Sequence, residues 1–167
     1  MEVGDWITLG AVLVALGIGV TSILYTQRLR GKERKERLLN EIIDWALDIV
    51  RCGSEAGFEV TPGLPEEKQK KLIRINWAFR YQVISSKGDY IISIGSIFKR
   101  EENLHRLIKA AQGDLEKAIK ILWDLAGAKG AEEERLSSEA TKTEEALQKS
   151  AGLLIKEATR IRTREMA

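Results

Sequence analysis

The chain has 167 residues, and its 27 Lys and Arg against 25 Asp and Glu leave a formal net charge of +2. That balance excludes a general polyanion binder and makes the local distribution of charge the informative quantity. The single cysteine, Cys52, excludes an intramolecular disulfide and suits a reducing compartment.

The first element is Trp6 to Tyr25, an uncharged run in which ten residues are Ile, Leu or Val. As a helix it would span about 30 Å, the hydrocarbon thickness of a bilayer. At roughly −0.3 to −0.6 kcal/mol each, the ten favour insertion by about 3 to 6 kcal/mol before Gly, Thr and Ser subtract their share. A signal peptide would need a basic n-region, whereas Glu2 and Asp5 precede this run. A core helix would need chain before it to help enclose it. The expectation is an uncleaved anchor over residues 1–27, with Trp6 and Tyr25 at the two headgroup levels.

Arg28, Arg30, Lys32, Arg34, Lys35 and Arg37 follow the run, against Glu33 and Glu36. Basic residues beside a membrane segment stay on the cytoplasmic side. The expected topology is a single pass in the cell membrane, N-terminus outside and residues 28–167 in the cytoplasm. Within the run Ala11, Ala15, Gly19 and Ser22 recur at small-residue spacing, a face on which two membrane helices could meet.

Residues 29–51 read as a helix, with a 3.6-residue stripe at Leu38, Leu39, Ile42, Ile43, Ala46, Leu47, Ile49 and Val50. Cys52 to Leu64 reads as a loop. A helix over 65–86 opens on Pro65, Glu66 and Glu67 and carries Trp77 and Tyr81 as core anchors. Lys87-Gly88-Asp89 reads as a stop and restart, with Gly as C-cap and Asp as N-cap. The helix over 90–126 that follows holds heptad spacing at Leu104, Ile108, Ala111, Leu115, Ala118, Leu122 and Leu125. That seam keeps register across Gly113, so the helix is expected to continue there. The last helix, 131–163, repeats the spacing more weakly and is expected to be the most exposed. The whole reads as all-α: a transmembrane helix followed by an antiparallel bundle of about four helices with coiled-coil-like seams.

Catalytic patterns are scarce. Glu102-x-x-His105 resembles half of a di-iron motif, but a chain with one histidine cannot supply the second half. His105 is expected on the helix surface, and Cys52 in a small packing role rather than as a nucleophile. No cofactor, metal, small-molecule substrate or enzymatic activity is expected. Anionic headgroups are the nearest polyanion to the basic stretch, ahead of nucleic acid. Alternating helix directions would also bring Arg160, Arg162 and Arg164 to the membrane surface near Arg28, Arg30 and Lys32. The expected role is a tethered module that binds or positions a protein partner, or a second copy of itself, at the cytoplasmic face. The alternative is a signalling component whose bundle switches state.

Overall fold

The computed structural model describes residues 3–54, 63–98 and 100–166. Among them stand five helices and no strand: α1 (Val3–Ser54), α2 (Glu66–Ser85), α3 (Gly88–Ile97), α4 (Glu102–Gly127) and α5 (Ala131–Met166). Of the side chains in α1, those of residues 3–21, 23 and 54 lie outside the description.

Helix α1 runs through Gly31 without a break and continues over Cys52, Gly53 and Ser54, which the sequence assigned to a loop. Residues 55–62 of that loop lie outside the described residues. The apolar stripe does what its period implies: Leu39, Ile42, Trp45, Ala46 and Ile49 are buried. Each large aliphatic side chain so removed from water contributes about 1.5 to 3 kcal/mol. The Trp45 indole N–H donates to the Ile84 carbonyl at 3.0 Å, so burying the ring strands no donor.

The main correction concerns α3. The expected helix 90–126 is two helices, broken at Phe98–Glu101 rather than at Gly113. Phe98 leaves helical geometry (φ −86°, ψ 55°), its N–H donating to the Gly95 carbonyl, and Glu101 N–H then donates to the Phe98 carbonyl. The segment Lys87-Gly88-Asp89 is a kink and no reversal. Ser85 of α2 meets Gln112, and Gly88 and Gly95 of α3 meet Gln112 and Ile108 in turn. Helices α2 and α3 therefore form one leg, descending antiparallel to α4. Gly88 is inside the first turn of α3 rather than a C-cap, and Asp89 follows it with no capping role.

Two glycines make this close seat possible. A Cβ on Gly95 would stand 2.6 Å from Ile108 Cδ1, and one on Gly88 would collide with the Gln112 side chain. Hydrogen is the only side chain that fits without a shift at either place.

With the α2–α3 leg counted once, the bundle has four legs running up, down, up and down. The α4 seam is buried throughout, from Leu104 to Leu125. The expectation that α5 is the most exposed helix is not met, since α2 buries only Ala78 and Tyr81. Leu147, Ala151, Leu154, Ala158 and Ile161 are fully buried, because α5 from Leu147 onward packs between α1 and α4. Only the stretch before Leu147, with Leu136 as its one buried apolar residue, is thin.

Candidate functional site

The expected anchor is a matter of placement before it is one of chemistry. Among the described residues no helix is long and apolar enough to cross a membrane. Of Trp6–Tyr25 only Ser22, Leu24 and Tyr25 have described side chains, and all three are exposed. The side chains of Ala11, Ala15 and Gly19 on the proposed contact face lie outside the description.

The basic stretch is described. From Leu24 to Lys35 every side chain on α1 is exposed, all round the helix. Packing begins at Leu38 and Leu39. This part of α1 is a stalk that continues beyond the bundle. At 1.5 Å per residue it carries the chain about 15 Å from Lys35 back to Tyr25. Arg28, Arg30, Lys32 and Arg34 stand on it with no ion-pair partner among the described residues, whereas Lys35 pairs with Glu165 at 2.9 Å.

The C-terminal arginines are held differently. Arg162 donates to Asn40 Oδ1 at 2.8 Å. Arg160 is bound by Glu157 at 2.8 Å and by Glu101 at 3.5 Å, and Arg164 by Glu101 and Glu165. Glu101, with a side chain only 11% exposed, thus fastens the 98–101 turn to the end of α5. The Arg160 hydrogen bond holds the Glu157 carboxyl below its ordinary range, and the Lys35 hydrogen bond does the same for Glu165. The three arginines reach the base of the bundle, as alternating helix direction requires. They lie level with residues 35–40, however, and not with Arg28, Arg30 and Lys32. Sequence reading could not find Glu101, because it falls inside what reads as one continuous helix and its arginine partners are 59 and 63 residues away.

At the other end Arg74 donates to the Leu125 carbonyl at 3.2 Å and to Glu133 at 2.7 Å, joining α2, α4 and α5. Between the two ends, Tyr81, Glu144 and Gln148 converge on Gly53. A Cβ there would lie 2.8 Å from Gln148 Nε2 and 3.0 Å from Glu144 Oε1. Burial raises the Tyr81 phenol well above its usual range and also raises Glu144.

Cys52 is buried beside this cluster, towards the far end, while His105 lies against Gly95 at the base. The two are not brought together. His105 is not on the open surface: it is half-buried, and its shielded Nδ1 has no hydrogen-bond partner among the described residues. Gln112 Oε1 shares that condition. Both atoms sit beneath α3, each costing about 1 to 3 kcal/mol in lost hydration. No group of three or more His, Cys, Asp or Glu among the described residues is placed to hold a metal.

The remaining feature is a surface. On α2 the side chains of Leu72, Phe79 and Val83 are exposed, and Phe79 is 62% so. Phe79 and Val83 border a groove of about 430 Å³ shared with Asp48, Arg51 and Cys52 of α1. Comparison with protein-family models, with curated proteins and with solved structures finds no match to this chain.

Proposed function

We propose that the protein is a single-pass, membrane-tethered helical module that holds its bundle at a set distance from the cytoplasmic membrane face and presents it to a protein partner. One observation carries this reading: α1 is one uninterrupted helix in which an exposed basic stalk separates the bundle from the apolar Trp6–Tyr25 run. A rigid helix transmits position, since it has no hinge between the two ends. The stalk supplies Arg28, Arg30, Lys32 and Arg34 for anionic headgroups, at about 1 kcal/mol per residue near the surface. Arg160, Arg162 and Arg164 serve the bundle first, because their charges and donors are already engaged.

A cytoplasm-specific reporter fused after Ala167 tests the topology. Activity there supports the reading; activity of an exterior-specific reporter at the same position refutes the orientation. For the anchor face, Gly19→Leu should lower crosslinking between copies and Val20→Leu should not. Equal yields would remove the idea of a contact face.

A second reading, a bundle that switches state, draws support from α3. It covers two unpartnered polar atoms, so its release would return both to water. On that reading amides of α3 exchange with solvent well before those of α4. Equal protection of the two helices would exclude it.

A further inference from the structure

The exposed face of α2 is apolar along its middle and positive along its edges. Leu72, Phe79 and Val83 are spaced seven and four residues apart, so they form one straight row about 16 Å long. From Lys68 to Lys87 the sequence has no acidic residue. Three of its cations are engaged: Lys70 with Glu66, Arg74 with Glu133, and Lys87 with Asp48 at 3.9 Å. Lys68, Lys71 and Arg80, together with Arg51 of the neighbouring α1, have no ion-pair partner among the described residues. Arg51 and Arg80 flank the groove beside Phe79.

We infer that this face is a docking groove for an acidic amphipathic helix on a partner protein. The inference rests on the partner-binding part of the function proposed above and gives that partner its chemistry. An aromatic side chain in the middle of a groove with aliphatic neighbours is the usual anchor of a helix-in-groove contact. Carboxylates along both edges of the incoming helix would meet Arg51, Lys68, Lys71 and Arg80, which fixes register and speeds encounter. A second copy of the chain is a poor occupant, because pairing this face with itself sets like charges against each other. The tethering bilayer is out of reach, since Gly53, beside Tyr81 of α2, stands about 40 Å along α1 from Tyr25. A nucleic acid would use the cations but leave the apolar row against water, and the test includes it.

The experiment uses the full chain in detergent micelles and a fluorescent helical peptide with leucine at every third or fourth position and glutamate elsewhere. Its controls are the same peptide with lysine for glutamate and a single-stranded oligonucleotide. The acidic peptide should bind at least tenfold more tightly than the lysine peptide. Phe79→Ala should weaken it about tenfold or more, and R51E with R80E should weaken it further. Far-UV helicity should stay constant, as all three side chains are exposed. Equal binding of the two peptides, full retention by Phe79→Ala, or tighter binding of the oligonucleotide would each overturn the inference. Micelles make the readout independent of membrane orientation, so its failure leaves the topology reading intact, and a failed topology leaves this one.

Discussion

The two halves of α1 share one backbone and nothing else. From Leu38 to Gly53 the helix is packed on two sides, its period-3.6 stripe sealed by α2 and α5. From Leu24 to Lys35 it is exposed on every side and studded with cations. Helical propensity alone rarely holds such a stretch in water, so the stalk depends on its two ends being fixed. The packed half specifies the fold, and the exposed half is where position and charge are left over for a function. The same contrast recurs at the two ends of the bundle: the base is fastened by carboxylate–arginine ties around Glu101, the far end by Arg74.

The sharpest way to break the comparison is to remove the same kind of side chain from each half. Ile42→Ala should cost about 2 to 5 kcal/mol of bundle stability in denaturant unfolding. Leu29→Ala, on the stalk, should stay within about 0.5 kcal/mol. Next in size is Leu16→Arg, which should cost about 2.5 to 3.5 kcal/mol of insertion and lower recovery in the membrane fraction. The bundle's unfolding transition should not move.

The two sets of arginines can then be separated. Changing Arg28, Arg30 and Lys32 to Gln in reconstituted bilayers should remove up to about 3 kcal/mol of attraction to anionic lipid. Energy transfer to a labelled anionic lipid reads that loss. Changing Arg160, Arg162 and Arg164 to Gln should lower the transfer far less while destabilising the base.

The smallest expected effect is on pH. The lowered carboxyls of Glu157 and Glu165 contribute stability that is present above the ordinary glutamate range and lost as pH falls below about 4.5. The raised Glu144 acts in the opposite sense: its penalty at neutral pH is relieved on acidification. Hydrogen exchange at pH 4 should therefore show the ends of α4 and α5 at the base opening more readily than at neutral pH, and before the middle of either helix. Glu101→Gln should reproduce part of that effect at pH 7.

Much of this fold was legible because strong periodicity needs no context. The α4 seam was readable residue by residue and is buried throughout, while the α1 stripe buries Leu39, Ile42, Ala46 and Ile49 and leaves Leu38, Ile43, Leu47 and Val50 half-buried at its edges. The Phe98–Glu101 reversal was not legible, since it contains neither Gly nor Pro. Ile91 to Ile97 is apolar nearly all round, so it has no face from which to infer its neighbour. Lys87-Gly88-Asp89 misled for the opposite reason. Its glycine looked like a turn signal, but it is there to admit Gln112. In α5, Ala151 and Ala158 are weak as hydrophobic markers yet suit a helix wedged between two others. The base ties were hidden because ion-pair partners far apart in sequence leave no pattern. The exposed row of α2 left no such mark, since apolar residues stand on several faces of that helix and the sequence does not say which of them the bundle leaves uncovered.

On the proposed function, α1 passes through three environments in order. Nitroxide scanning of single cysteines from residue 10 to residue 50, in a Cys52→Ala background reconstituted in bilayers, tests it directly. Oxygen accessibility is expected up to about Tyr25, followed by accessibility to an aqueous relaxant on all faces as far as Lys35. From Leu38 a 3.6-residue alternation of buried and exposed positions should follow. Aqueous accessibility at residues 10 to 22, or periodic burial already at residues 28 to 34, would contradict it.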